Sequence, residues 1–177
     1  MKLLMMCEGP NELAIVNILL EHNCFSFSRD DLVTLVPFHA RQIDKSTAIQ
    51  LALNMYTGPI RILRIGDTLN DKLRIPTKYK DRIVSVEKFC TKPELEMLFI
   101  ISENLCLEFD KVKSSQSPKL FCKSNVTLGR QKYDNSTQFY IDYFSSNPER
   151  LVWCINEYKR THKKHLKDEY YLADLLK

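Results

Sequence analysis

Apolar residues along this chain fall into short runs and helical stripes that alternate over the first hundred positions. Lys2–Cys7 (KLLMMC) is an apolar run of strand length closed by Glu-Gly-Pro-Asn, and it predicts a buried β-strand. From Asn11 to Glu21, residues Leu13, Ile15, Val16, Ile18, Leu19 and Leu20 cover most of a helix whose start is Pro10 or Asn11. Leu32–Phe38 (LVTLVPF) reads as a second strand, and Asp44–Tyr56 as a helix stopped by Gly58-Pro59. Ile60–Ile65 (IRILRI) predicts a strand ending in Gly66-Asp67, Arg82–Phe89 another strand, and Pro93–Asn104 an apolar helix. Strands that alternate with helices in this order predict an α/β fold, a Rossmann-like, mostly parallel sheet flanked by helices.

The pattern changes after residue 110. Lys111–Pro118 (KVKSSQSP) resembles a linker. Beyond it lie a helix from Pro148 to about Lys164, striped by Leu151, Val152, Cys154, Ile155 and Tyr158, and a terminal helix over Asp168–Leu176. The expected organisation is an α/β domain over 1–110 with a basic, mainly helical C-terminal extension, 111–177, packed on it. Charge follows the same division. The formal net charge is +4, but residues 1–110 carry 13 Lys/Arg against 15 Asp/Glu, and residues 111–177 carry 13 against 7. An acidic body therefore joins a basic tail, the part suited to a polyanion.

Several classes drop out on composition. A hydrophobic content of 44% with four glycines excludes a disordered or fibrous chain. No apolar stretch nears the roughly 20 residues that span a bilayer. The initial apolar run stops at Glu8, too early for a signal peptide. The six cysteines stand singly, with no CxxC pair, and are expected to be reduced and buried in a cytoplasmic protein. His162 and His165, three apart among lysines, are expected on a solvated helix face, and none of the four histidines has a cysteine at zinc-finger spacing.

Ligands of parallel α/β sheets bind beyond the carboxyl ends of the strands, and this chain puts acids there. The first strand delivers Glu8, with Glu12 one helical turn on. The strand at 60–65 delivers Asp67, with Asp71 soon after. The strand at 82–89 is followed by Glu94 and Glu96. Acids at helix starts also serve to complement the helix dipole, which is the plain alternative for Glu12, Glu94 and Glu96. Glu8 and Asp67 instead follow buried strands and adjoin Gly9 and Gly66, where backbone or ligand can come close. Six carboxylates without thiolate or imidazole favour Mg²⁺ or Mn²⁺, and such a cluster suits phosphodiester chemistry.

Three motifs carry a family resemblance. Cys7-Glu8-Gly9-Pro10-Asn11-Glu12 resembles the EGxxE signature of the Toprim (topoisomerase–primase) domain. Ile65-Gly66-Asp67 stands where that family has its DxD motif. Pro93-Glu94-Leu95-Glu96-Met97-Leu98 is similar to the acidic segment in Toprim domains of the overcoming-lysogenization-defect (OLD) nucleases and related phage-defence proteins. The match covers about the first hundred residues. It implies Glu8 as metal ligand or general acid/base, Glu12 as support for a second ion, Asp67 as principal ligand and Glu96 as a further one. The sequence departs from the pattern at Leu69, where a second acid is expected, and Asp71 is the candidate substitute. The resemblance also implies a downstream lysine that steadies the phosphate, for which Lys132 is the candidate and Lys123 its competitor.

These readings lead to one expectation, a Mg²⁺-dependent endonuclease that cleaves DNA or RNA as a defence effector. Lys159, Arg160, Lys163, Lys164 and Lys167 would supply phosphate affinity, with Tyr158, Tyr170 and Tyr171 available to stack on bases or to fill the core. Relatives of this kind often work beside an ATPase. The chain lacks a GxxxxGK[ST] loop, so that activity would belong to a partner. The alternatives are a non-catalytic nucleic-acid-binding or regulatory module and, more remotely, a primase-like or RNA-processing enzyme.

Overall fold

The computed structural model describes residues 1–67, 69, 71–162 and 165–177. Its centre is a five-stranded sheet built from β1 (Lys2–Cys7), β2 (Phe38–His39), β3 (Ile60–Gly66), β4 (Ile83–Cys90) and, from the tail, β7 (Glu169–Tyr171). The strands run in the order β2-β1-β3-β4-β7, and every neighbouring pair is parallel. The central strands β1 and β3 are mostly apolar and buried because both faces are covered, as parallel sheets require, with Arg61 and Arg64 the charged residues of β3.

On one face lie α1 (Pro10–Glu21), α3 (Met97–Ser102), α4 (Cys106–Val112), α5 (Pro118–Asn125), α6 (Thr137–Phe144) and α7 (Pro148–Thr161). Their apolar sides form one cluster with Leu3, Met5, Cys7, Leu63, Ile65 and Phe89 of the sheet. Phe99 sits at the middle of that layer, ringed by Tyr133, Phe139, Tyr140, Tyr143 and Phe144 at 4.7–5.5 Å between ring centres. The other face is thinner. There α2 (Thr47–Met55) and the loop before β4 cover Leu4, Met6, Ile60 and Ile62. No helix among the described residues is long and apolar enough to cross a membrane.

Several local expectations are corrected. Leu32–Phe38 is not a strand: Leu32 makes one bridge to Leu3, Leu35 turns the chain at φ +64°, Pro37 has no N–H to give, and only Phe38–His39 pairs with β1. The helix expected from Asp44 begins at Thr47, because Ser46 accepts a hydrogen bond from the Ile49 N–H and caps it there. The helix expected from Pro93 starts at Met97, since residues 93–96 form the turn that carries the acids.

The expected terminal helix is instead β7 followed by a short 3₁₀ turn, Leu172–Leu175. Tyr170 and Tyr171 suit a strand, and β4 offers the free edge that takes them. Residues 113–117, the linker-like stretch, are a five-residue connection between α4 and α5, and helices on both sides of it share one core. His162 and His165 are not on an open helix face. His162 stacks on Tyr158 at 4.9 Å and His165 on Tyr171 at 3.8 Å. The six cysteines are free thiols, four of them buried.

Candidate functional site

Register places the first acid. Cys7 pairs with Ile65, so Glu8 leaves β1 beside Gly66 at the carboxyl edge, its N–H bonded to the Ile65 carbonyl at 2.8 Å. The Glu8 side chain folds across Gly66. A Cβ added there would lie 2.6 Å from the Glu8 Cβ, closer than real atoms approach, so this glycine exists to admit the glutamate. Glu8 is only 7% exposed, with the Arg41 guanidinium 3.4 Å from its Oε1 and the Leu69 N–H 3.4 Å from its Oε2.

Glu12 stands on the first turn of α1, half-buried, its carboxylate curled back over Gly9. Burial, with Asp67, Glu8 and Glu96 adding negative charge around it, pushes its carboxyl up to about 7; its own backbone N–H pulls the other way. Asp67 lies at the end of β3. Glu96, 4% exposed, enters from the turn before α3. Tyr133 donates its hydroxyl to Glu96 Oε1 at 2.7 Å, Tyr140 lies 3.2 Å from the same hydroxyl, and the Lys119 ammonium is 3.9 Å from Glu96 Oε1. Burial, with the Glu96 charge adding to it, holds both phenols well above their usual range, so both are neutral donors.

Glu8, Glu12, Asp67, Glu94 and Glu96 thus line one open cleft of about 440 Å³, together with Arg41, Lys119, Asn11, Asn135, Thr137 and Tyr140. Five segments remote in sequence deliver the acids and the two cations. Glu94 also serves the fold, since its Oε2 accepts the Lys119 N–H at 2.8 Å and so caps α5 from outside that helix.

Asp71 is the exception among the six. It points away, gripped by buried Arg64, whose guanidinium donates to the Asp71 carbonyl at 2.8 Å and to Oδ1 at 2.9 Å, while Gln42 donates to Oδ2 at 2.6 Å. Leu69, buried at 2% exposure, occupies the place where a second acid was expected, and Asp71 does not take it over.

The candidate lysines fall elsewhere. Lys132 is exposed on β6 (Gln131–Lys132), which pairs with β5 (Thr127–Leu128) around Gly129 at φ +58°, and it does not line the cleft. Lys123 is exposed on α5 and is also outside the lining. In the tail, Lys159 pairs with Asp174 at 2.5 Å and Arg160 with Glu157 at 2.5 Å. Lys167 is exposed, and Lys163 and Lys164 lie outside the described residues. Tyr158 is buried and donates to the Lys92 carbonyl, Tyr171 stacks on His165, and Tyr170 is half-exposed against Phe89 at 5.5 Å.

Sequence reasoning missed Arg41, Lys119 and Tyr133. Ser117-Pro118 is a helix-start signal that would have put Lys119 on a first turn, next to the cap. Arg41 carries no local signal; it reaches Glu8 because the Ala40 N–H bonds the Cys7 carbonyl at 3.0 Å across the sheet edge.

The donor chemistry of the cleft, oxygen atoms only and crowded negative charge, fits a hard divalent cation. Among the described residues, however, no three His, Cys, Asp or Glu side chains are set to enclose one ion as they stand. No protein-family model matches the chain, and no curated protein or solved structure matches it.

Proposed function

We propose that the carboxylate cleft is a Toprim-like, divalent-metal-dependent site for cleaving phosphodiester bonds of nucleic acid. The observation that carries this reading is the convergence of Glu8, Glu12, Asp67 and Glu96 in one cleft that also holds two cations, Arg41 and Lys119. Burying a carboxylate, and beside other acids, until it resists ionisation is unfavourable in itself. A structural surface has no use for it, whereas a cation site does.

Glu8, Asp67 and Glu96 would hold Mg²⁺ or Mn²⁺, with Glu12 behind them, once their side chains draw in on it. The ion would supply neutralisation of the charge that grows on the phosphoryl oxygens. The chain's own residues do the rest. Tyr133 orients Glu96. Arg41, beside Glu8, and Lys119, beside Glu96, are exposed enough to swing and would bind the phosphate. Lys119 takes the role expected of Lys132. With Leu69 and the clamped Asp71 contributing no carboxylate, the reading is a site for one tightly held ion.

The test is incubation of the protein with plasmid DNA and with total tRNA in Mg²⁺, Mn²⁺ or EDTA, alongside Glu8→Ala, Asp67→Ala and Lys119→Ala. Metal-dependent cleavage that all three substitutions abolish or cripple supports the proposal. Wild type as inert as Glu8→Ala, with and without an ATPase encoded beside it, overturns it. The buried leucine where an acid was expected favours the second reading, a Toprim-like module that binds nucleic acid without cutting. Binding that survives Glu8→Ala while no cleavage occurs would select that reading.

A further inference from the structure

Two loops beside the cleft are locked together by one side chain. Gln42, next to Arg41, donates to Asp71 Oδ2 at 2.6 Å and to the Lys72 carbonyl at 3.1 Å, and its Oε1 accepts the Arg74 N–H at 2.9 Å. Three hydrogen bonds thus hold residues 71–74 against residues 41–45.

The charges on this joined surface are sorted. Arg41, Lys45, Lys72 and Arg74 all face solvent, Arg41 and Arg74 with side chains 65% and 64% exposed. Their ion pairs, Arg41–Glu8 and Arg74–Asp44, are loose at 3.4 Å. The exposed Arg74–Asp44 pair is worth little, and Arg41 keeps most of its side chain in solvent although Glu8 is buried. Of the two acids on the loops, Asp71 is consumed by Arg64, a guanidinium with a side chain 3% exposed that needs a counter-ion beneath the surface. What remains outward is a cationic strip, and Arg41 connects it directly to the acids.

We infer that the Gln42-locked loops, residues 41–45 and 71–74, form a docking surface for the nucleic-acid backbone and lead it into the carboxylate cleft past Arg41. This rests on the proposed function and locates its substrate contact on the opposite side of the sheet from α7. The tail cations Lys159 and Arg160 are committed to tighter pairs with Asp174 and Glu157 and line no part of the cleft. The contacts are to phosphates, so DNA and RNA both fit and base sequence is not read.

Anisotropy of fluorescein-labelled single-stranded DNA, duplex DNA and single-stranded RNA, with the full chain in EDTA and in Ca²⁺, tests this separately from cleavage. The variants are Arg41→Gln/Lys72→Gln/Arg74→Gln, Lys72→Gln/Arg74→Gln, and Lys159→Gln/Arg160→Gln/Lys167→Gln, each checked for an unchanged unfolding temperature. The triple loop variant is expected to bind roughly tenfold more weakly or worse, with the slope of log K against log salt reduced by about two for single strands. The double loop variant keeps Arg41 and loses part of that, and the tail variant binds as wild type. Equal binding by wild type and both loop variants, a loss confined to the tail variant, or wild type that binds none of the three oligonucleotides overturns the inference. Loop-dependent binding without any cleavage leaves it standing and removes only the catalytic reading.

Discussion

Glu12→Gln measures the cost of burying one carboxylate among the other acids. The substitution keeps the shape of the side chain and removes its titration. In the folded chain burial, and then Asp67, Glu8 and Glu96, raise the Glu12 carboxyl from 4.5 to about 7. A folded-state value above the unfolded one favours the protonated form. Stability from this group is therefore complete below 4.5 and is lost as pH climbs through 7. A difference of about 2.5 units corresponds to about 3 kcal/mol. In EDTA, wild type and Glu12→Gln should have similar unfolding temperatures near pH 4.5. The variant should then become the more stable by about 6–12 °C above pH 8, for a chain of this size. Thermal unfolding by circular dichroism across this range measures the gap. Curves that stay parallel would refute the argument that burial and the neighbouring acids make an ionised Glu12 costly. Saturating Mg²⁺ at the alkaline end should restore wild type more than the variant, because the ion relieves the same repulsion.

Three further outcomes follow from the geometry. Gly66→Ala must push the Glu8 side chain aside and should cost about 1–3 kcal/mol of stability in urea unfolding, with metal-dependent cleavage abolished. Tyr133→Phe removes the hydroxyl given to buried Glu96 and should cost about 1–3 kcal/mol; an unchanged unfolding midpoint would show that Glu96 does not depend on it. His162 and His165 are held below 6.5, chiefly by burial, so the stability they contribute is present above 6.5 and fades as pH falls below it. Proteolysis of residues 162–177 should quicken in that window for wild type and change less for His165→Phe, which keeps the ring stacking on Tyr171.

What could be read from the sequence divides along a physical line. Runs such as KLLMMC and IRILRI identify themselves because a strand buried on both faces has no other way to be written. The acids at the ends of those strands inherit that clarity, which is why Glu8 and Asp67 stand out. Leu32–Phe38 misled because β-branched and apolar residues also line a loop that only touches the core, and Leu35 at φ +64° breaks the run without a glycine to announce it. Asp71 misled because spacing along a loop does not tell which way a side chain turns, and its direction is decided by Arg64, an arginine concealed in an apolar strand. Lys119 and Arg41 act on acids that lie far away in the chain, and no local pattern encodes such pairings. The strand Glu169–Tyr171 reads as part of a helix because three residues bonded to an edge leave little periodicity to see.

That terminal strand also bears on how the protein is made. β4 has β3 on one side from the start, but its other edge stays open until β7 arrives, and 80 residues separate Lys88 from Asp168, which it holds. Residues 175–177 then close on the segment after α1, through Ser26 N–H to the Leu175 carbonyl and Lys177 N–H to the Cys24 carbonyl. During synthesis the Lys88–Cys90 edge of β4 therefore waits with backbone groups unpaired until Glu169–Tyr171 emerge. A chain cut short before residue 169 would keep all the acids of the cleft and yet leave Lys88–Cys90 unpaired at the sheet edge, so it should aggregate more readily than the longer chain.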